Sequence, residues 1–265
     1  MLQCYTYSTL IVCEYLLKII DITKSHFFIP ASLPGGHRQQ LSYDTQFKVG
    51  NYYASMLTMR DVRMKNRESG APMILPAFLV LHDRKFKEDH ALAFDFMIRA
   101  IPEMKTKKFL ATSDQEFLWL MELKLLKSTV GVCENHLTKS LGHWVKEKIG
   151  QSSVSFYKNE FRTLIREQSR EDYDLKLVER KARWHPRFAD YWDEFIAPLV
   201  DKVSLWKAQE IQWGGLTPNC IWSSNQSESY NHILRHKLNY EEVEMSDCFH
   251  VFRDIQRAVL METAR

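Results

Sequence analysis

Residues 41–60, LSYDTQFKVGNYYASMLTMR, decide the fold that the sequence predicts. Aromatic and β-branched side chains crowd both halves of this stretch, and Gly50-Asn51 separates them, as in two antiparallel strands joined by a tight turn. A third run of the same kind, ILPAFLVLH, follows at 74–82. The three runs predict consecutive antiparallel strands over 41–49, 51–60 and 74–82.

Further along, apolar residues recur at helical spacing and alternate with short strand-like runs. The pattern predicts a helix at about 88–101 ended by Pro102, a strand over 108–113, a helix over 115–127 and a strand over 129–133. In the order β-β-β-α-β-α-β the first strand lies centrally and pairs with the fourth. We therefore predict an α/β fold with a mixed sheet and helices on its faces.

Outside this core the sequence is mostly helical in pattern. Residues 137–210 are charged and helical with hardly any strand signal, which indicates an all-helical insertion. The apolar stretch 9–20 predicts a packed helix. The expected segments are an N-terminal helical extension (1–37), the first part of the core (38–136), the insertion (137–210), a loop and helix that complete the core (211–240), and a C-terminal helical segment (241–265).

Composition restricts the function classes only loosely. The 265 residues are 45% apolar and 26% charged, as in ordinary globular proteins. The 36 basic and 33 acidic side chains give a net charge of +3, so any contact with nucleic acid requires local clusters. Five scattered cysteines indicate reduced thiols inside a cell. Stretch 9–20 contains Glu14 and Lys18 and is too short to span a bilayer, so we expect no membrane association.

Three acidic residues, Asp44, Asp114 and Glu228, lie at the starts or ends of different predicted elements. Each has an ordinary alternative explanation. Asp44 fits a solvent-facing residue on a strand edge, and Asp114 fits a helix N-cap. Glu228 fits a capping box in which Asn225 is the cap and the glutamate is the third helical residue.

The joint placement of these acids favours a metal site. If the first and fourth strands pair, Asp44 and Asp114 are neighbours, and a later helix packed over that edge brings Glu228 within reach. Carboxylate oxygens suit Mg²⁺, and two such ions about 4 Å apart can activate an attacking oxygen and stabilise a leaving one. Three converging carboxylates repel one another without a metal, so the arrangement predicts two divalent cations, Mg²⁺ or Mn²⁺.

Five short motifs carry a resemblance to a known family. They are YDTQFKVGNYYASMLTMRD (43–61), PAFLVLHDRK (76–85), TSDQE (112–116), CENH (133–136) and NQSESYNHIL (225–234). In their order and spacing, over roughly residues 38–240, the chain resembles the catalytic domain of Mutator-like element transposases. These belong to the DDE group with a ribonuclease-H-like fold, in which a helical insertion precedes the glutamate helix.

This resemblance implies a function. It matches Asp44 and Asp114 to the family's metal-binding aspartates and Glu228 to its glutamate. The implied activity is metal-dependent DNA cleavage and strand transfer, in which Asp44 bridges both ions while Asp114 and Glu228 each hold one. Water and then a DNA 3′-hydroxyl would be the nucleophiles. DNA is then the partner, a homo-oligomer is an open alternative, and the nucleus is the expected location, although no convincing import signal is evident.

The family's C-x-x-H motif matches Cys133 and His136. Two ligands do not complete a structural zinc site, which needs four. His136 either lies beside the active site and contacts the DNA backbone or leaving group, or is a packed histidine near a buried thiol. Asn225 and Asn231, in the glutamate helix, are further candidates for positions close to DNA.

Basic residues of the insertion are interspersed with acidic ones. The bases are Arg162, Arg166, Arg170, Arg180, Lys181, Arg183 and Arg187, and the acids are Glu160, Glu167, Glu171 and Glu179. This mixture is typical of a solvated amphipathic surface, with a minority of the bases contacting phosphates.

A second function stays open for the chain as a whole. No zinc-finger module precedes residue 38, and no Cys/His knuckle follows residue 240. The alternative is therefore a transposase-derived module that binds DNA or protein without catalysis. The sequence leaves open whether the chain is an enzyme, because catalysis depends on how close Asp44, Asp114 and Glu228 lie to one another.

Overall fold

The computed structural model describes the chain in segments. These are residues 4–7, 10–13, 40–49, 52–65, 70, 72–82, 86–100, 102–105, 110–114, 129–211, 222, 224–239, 241 and 244–264. They form two compact units, which we call the sheet unit (residues 1–129 and 224–265) and the helical unit (residues 130–223). The helical insertion predicted for 137–210 falls inside the helical unit.

Three long strands form the centre of the sheet unit: β3 (Gln40–Val49), β4 (Tyr52–Lys65) and β5 (Pro72–His82). Each is antiparallel to the next, and Asp44 lies opposite Met56 in the pairing of β3 with β4. The three predicted strands are confirmed. Their runs of aromatic and branched side chains were a reliable signal, because a strand covered by helices on both faces buries the side chains of both faces.

A fourth strand makes the sheet mixed. β6 (Leu110–Ser113) runs parallel to β3, so that Tyr43 lies opposite Ser113. The predicted pairing of the first strand with the fourth is confirmed, and the fold is α/β. β7 (Thr129–Val132) follows where a strand was predicted and carries the chain into the helical unit. The helix predicted over 115–127 lies outside the described residues.

The N-terminal prediction needs a correction. Strands β1 (Cys4–Tyr7) and β2 (Leu10–Cys13) form an antiparallel pair, and Leu10 of β2 lies opposite His82 of β5. Residues 10–13 are therefore a strand and do not belong to the packed helix predicted over 9–20. The partner of β2 is about 70 residues away in the chain, and such long-range pairing overrides a local helical pattern. Residues 14–37 lie outside the described part.

Helices cover both faces of this sheet. Helix α1 (Lys87–Ala100) confirms the predicted helix and packs on one face, where the ring of Phe94 lies 5.1 Å from that of Tyr43. On β3, Ser42 points to the opposite face, because successive side chains alternate, and bonds there to the start of helix α7 (Asn225–Lys237). Helix α8 (Met245–Ala264) contacts both α7 and β5.

The described part of the helical unit continues from β7 as helices with short connections. They are α2 (Glu134–Lys148), α3 (Val154–Ile165), α4 (Arg170–Lys181), α5 (Pro186–Tyr191) and α6 (Leu205–Glu210), with a π-helical turn at Trp192–Ile196 and 3₁₀ segments at Gln151–Ser153 and Ala197–Lys202. The predicted all-helical character of 137–210 is confirmed. No helix in the described ranges is long and apolar enough to cross a bilayer.

Aromatic residues form the core of the helical unit. Phe188 is fully buried, with the ring of Trp184 4.9 Å away and that of Trp192 6.1 Å away. The nearby carboxylate of Glu160 accepts hydrogen bonds from the indole of Trp184 at 2.8 Å and the guanidinium of Arg180 at 2.5 Å. A charge at the edge of this core is thus fully paired, as a buried charge must be to avoid a large desolvation cost.

Candidate active site

The parallel pairing of β3 with β6 determines where two of the predicted site residues lie. Tyr43 is opposite Ser113, Asp44 is the next residue of β3, and Asp114 directly follows the end of β6. Neighbouring strands lie about 4.8 Å apart, and residues in register in parallel strands point to the same face. Asp44 is 7% exposed, whereas Asp114 is half-buried and accepts a hydrogen bond from the Ser113 hydroxyl at 3.3 Å.

A cluster of hydroxyl groups anchors helix α7 on this sheet. The Ser227 hydroxyl donates to the carbonyl oxygen of Ser42 at 2.8 Å, and the Thr58 hydroxyl lies 3.0 Å from the Ser227 hydroxyl. All three residues are buried. Because their side chains are small, the helix backbone approaches β3 and β4 closely, and the hydrogen bonds offset the cost of burying the hydroxyls.

One turn further along α7, the amide of Asn231 donates to Oδ2 of Asp44 at 2.8 Å. Asn231 is only 5% exposed, so this hydrogen bond is protected from water. From Ser227 to Asn231 the helix rises about 6 Å, and from Ser42 to Asp44 the strand rises about 6.8 Å. The two contacts therefore match only if α7 runs parallel to β3, and they hold the Asp44 carboxylate in one orientation.

Glu228 lies on the flank of α7 that faces away from β5. Tyr230, on the other flank, donates to the carbonyl of Ile74 in β5 at 2.7 Å. Successive helical residues are about 100° apart around the helix axis. Seen along that axis, Tyr230 therefore lies on one side of Ser227, and Glu228 and Asn231 lie on the other. In the strand order β5-β4-β3-β6 that side is the one of β6 and Asp114.

The start of α7 differs by one residue from the predicted capping box. The cap residue is Ser224, and Asn225 is the first residue of the helix with its side chain exposed. The Ser224 hydroxyl donates to Oε1 of Glu228 at 3.4 Å. The cap lies at Ser224 because its carbonyl accepts a hydrogen bond from the Ser42 hydroxyl at 3.3 Å, which attaches the helix start to β3.

On the opposite face of the sheet, polar contacts hold the residues on either side of Asp44. The Tyr43 hydroxyl lies 2.7 Å from Nδ1 of His90, and the Thr45 hydroxyl lies 2.8 Å from that of Ser55. Ser55 in turn lies 2.8 Å from Nε2 of His82. All of these residues are buried. This network restrains the backbone of β3 and with it the position of Asp44.

Cys133 and His136 lie at the start of α2 in the helical unit. Cys133 is the buried N-cap, and a ring nitrogen of half-buried His136 lies within 4.8 Å of its sulfur. The backbone N–H of Glu134 bonds to the carbonyl of Trp222 at 2.9 Å. The Trp222 ring covers Gly131 so closely that a Cβ there would overlap it. These contacts fix the start of the helix, and Cys133 and His136 offer two potential ligands to a metal ion.

Three acids of the sheet unit have donor atoms of the kind that a hard cation prefers. Asp44, Asp114 and Glu228 supply carboxylate oxygens, which Mg²⁺ and Mn²⁺ prefer. Neutral donors on Asn231 and Ser224 orient two of these carboxylates without adding a positive charge. Chemically, such a set can bind divalent ions and a phosphate ester, since the ions keep some positions open for substrate oxygens.

Two features of the site escaped the sequence reasoning. One is the hydroxyl cluster of Ser42, Thr58 and Ser227, and the other is the contact of Asn231 with Asp44, since Asn231 had been expected near DNA. A signal existed for both. Ser42 and Asp44 share a face by strand alternation, and Ser227 and Asn231 share one at i, i+4 spacing. The face of β3 and the face of α7 each carry two small or polar residues. Where two such faces pack together, a polar contact is expected.

Comparisons with known proteins add no relative to this description. The resemblance to transposases stays an expectation that rests on the five sequence motifs. No family model matches the chain, and no curated protein matches it.

Proposed function

We propose that the sheet unit is the catalytic centre of a DDE-type DNA transposase with a ribonuclease-H-like fold, which cleaves DNA strands and joins them with two Mg²⁺ or Mn²⁺ ions. One observation carries the proposal: β3, β6 and α7 each bring one acid to the same side of the sheet. Asp44 and Asp114 come from adjacent parallel strands, and Glu228 from the flank of α7 on that side.

In this proposal Asp44, Asp114 and Glu228 would hold the ions. When bound, the ions activate the attacking oxygen and stabilise the leaving oxygen of a phosphodiester. The chain's own residues do the positioning. The amide of Asn231 orients Oδ2 of Asp44. The hydrogen bond from Ser227 to Ser42 sets the position of α7 along β3, and with it the position of Glu228.

The substrate of this proposed activity is DNA, and a DNA substrate is the reason we propose a nuclear location. The nucleophile is water in the cleavage step and a DNA 3′-hydroxyl in the joining step. In each step the attacking oxygen bonds to phosphorus, the opposite P–O bond breaks, and the proton of the nucleophile passes to solvent.

The test replaces Asp44 with Asn, which keeps the side-chain size and removes the charge. With labelled duplex DNA and Mn²⁺, the parent should cut and Asp44→Asn should lose at least about 10³-fold in rate. Calorimetry should show Mn²⁺ binding to the parent and weaker binding to the variant. Asp190→Asn, an exposed acid of the helical unit, is the matched control and should cut like the parent.

Two results would contradict the proposal. One is a parent that neither binds Mn²⁺ nor cuts DNA, which would favour the non-catalytic module. The other is an Asp44→Asn variant that cuts as fast as the parent. Circular dichroism of both proteins shows whether the variant is folded, so that loss of activity is not confused with unfolding.

A further inference from the structure

The positive charges of the helical unit fall into two groups. Most arginines and lysines are paired with carboxylates: Lys148 with Glu147, Arg162 and Arg166 with Glu134, Arg170 with Asp174, Lys176 with Glu167, Arg180 with Glu160, Lys181 with Asp193, Arg183 with Glu179 and Lys207 with Glu210. Within residues 130–211, five bases form no ion pair with a described carboxylate: Lys139, Lys146, Lys158, Arg187 and Lys202. Four of these five lie on α2 or contact it: Lys139, Lys146, Lys158 and Arg187.

The exposed face of α2 carries the first two. Lys139, His143 and Lys146 recur at i, i+4 and i+7, and all three side chains are exposed, so they form one stripe along the helix. Lys139 and Lys146 are about 10.5 Å apart along the helix axis. That distance is close to three steps of about 3.4 Å along one strand of a duplex.

A glycine in the middle of α2 admits the third charge. A Cβ at Gly142 would overlap Cε of Lys158 and lie 2.9 Å from its Nζ, so the Lys158 side chain of α3 lies across α2 at this point. Glycine inside a helix costs about 1 kcal/mol relative to alanine. The absence of a side chain at Gly142 leaves room for Lys158, which extends the stripe of Lys139 and Lys146.

The fourth charge lies at the end of α2. The guanidinium of Arg187, on α5, donates to the carbonyl of Lys148, the last residue of the helix, at 3.5 Å. Arg187 is exposed and keeps its remaining N–H groups available. Lys139, Lys146 and Lys158 therefore form one group on and against α2, which we call the α2 basic surface, and Arg187 adds a positive charge at the C-terminal end of the helix.

We infer that the α2 basic surface binds the phosphate backbone of duplex DNA. This inference rests on the proposed function, since it names the part of the chain that holds the substrate outside the catalytic site. Unpaired cations release condensed counterions when they contact phosphates, whereas cations already paired with carboxylates contribute little. Binding at this surface is independent of base sequence, because the side chains contact phosphates and no base edges.

The test uses the full chain and a fluorescent 20-bp duplex, with affinity measured by anisotropy at several salt concentrations. The variant Lys139→Gln/Lys146→Gln/Lys158→Gln should bind 10- to 100-fold more weakly at 0.1 M salt, and its log–log salt slope should be smaller by up to about 2.7. The matched control, Arg170→Gln/Lys181→Gln/Arg183→Gln, removes the same charge from ion-paired sites and should keep the parent's slope. Melting curves establish that both variants fold.

The outcomes separate this inference from the proposed activity. If the α2 variant keeps the parent's salt slope, or if the slope falls equally in both variants, the α2 basic surface is not the DNA-binding site. If a duplex of RNA competes better than the DNA duplex, the DNA assignment is wrong. The binding assay contains no divalent cation and measures affinity alone, so a chain that never cuts DNA can still support the surface, and a chain that cuts can still refute it.

Discussion

The carboxylates of the two units accept hydrogen bonds from different kinds of group. In the helical unit, Glu134 is 2.7 Å from the guanidinium of Arg166, and Glu160 is 2.5 Å from that of Arg180. In the sheet unit, Asp44 and Glu228 accept hydrogen bonds from the neutral Asn231 and Ser224. A guanidinium cancels a carboxylate charge, whereas an amide or hydroxyl only orients it. The difference teaches that guanidiniums tie the carboxylates of the helical unit into the fold, while the hydrogen bonds from Asn231 and Ser224 orient two carboxylates of the sheet unit.

The comparison predicts the largest loss of stability when a buried carboxylate is removed from the helical unit. Glu134 is fully buried and also lies 3.8 Å from Arg162, so Glu134→Gln leaves two guanidiniums without their shared anion. We expect the free energy of unfolding to fall by about 3 kcal/mol or more, measured by urea denaturation. Asp44→Asn, made for the activity test, should change it by less than about 1 kcal/mol.

Glu179→Gln is the control for this prediction. Glu179 forms an exposed i, i+4 pair with Arg183 at 3.4 Å, and such a pair contributes about 0.3–0.5 kcal/mol. If Glu134→Gln destabilised the protein no more than Glu179→Gln does, the buried acid would not be structural and the contrast between the units would fail.

Alkaline pH offers a second comparison, because each unit buries a tyrosine. Burial raises the pKa of Tyr230 and that of Tyr173 to about 12. An unfolded tyrosine ionises near pH 10, so the stability is intact below pH 10 and is lost as the pH rises from 10 to 12. Each residue can remove up to about 2.7 kcal/mol over that range.

The two tyrosines should not contribute equally. Tyr230 donates its proton to the carbonyl of Ile74, and a phenolate there would face an oxygen. The oxygen of Tyr173 accepts from the indole of Trp192 at 3.2 Å and keeps this bond when ionised. We expect Tyr230→Phe to raise the pH of half-unfolding, measured by circular dichroism, more than Tyr173→Phe does. The reverse order would place the pH-sensitive contact in the helical unit.

The sequence predicted the parts of the fold that have a local pattern. Strands β3 to β5 and helix α1 follow from alternating or helical periodicity, and the parallel pairing of β3 with β6 follows from their order. Strand β2 was missed because its partner β5 is far away in the chain, and a helical pattern fits the same residues. The contact of Asn231 with Asp44 joins residues 187 positions apart. Local spacing shows which residues share a face of β3 or of α7, but it does not show that these two faces pack together.

A third prediction concerns the hydroxyl cluster that anchors α7. Ser227→Ala removes the donor to the Ser42 carbonyl and a partner of Thr58, both buried. We expect a loss of about 1–2 kcal/mol in unfolding free energy and faster hydrogen exchange in α7. DNA cleavage should also slow, because Glu228 follows in the same turn.

The control lies two residues away on the same helix. The Ser229 hydroxyl is exposed and donates only within the helix, to the carbonyl of Asn225 at 2.8 Å. Ser229→Ala should therefore change stability by less than about 0.5 kcal/mol. An equal effect of the two substitutions would show that Ser227 does not anchor the helix.

The smallest effect separates stability from binding inside the helical unit. Gly142→Ala should stabilise α2 by about 0.5–1 kcal/mol, since alanine is the better helix former. Its Cβ overlaps the end of Lys158 and must displace that ammonium group, so affinity for duplex DNA should fall about two- to threefold. Gly150→Ala is the opposite case: its φ of 141° is strained for alanine, so stability should fall while binding stays constant. A glycine kept for the fold weakens the protein when replaced, whereas a glycine kept for a ligand weakens only the binding. Parent-like affinity in a more stable Gly142→Ala would therefore remove Lys158 from the α2 basic surface.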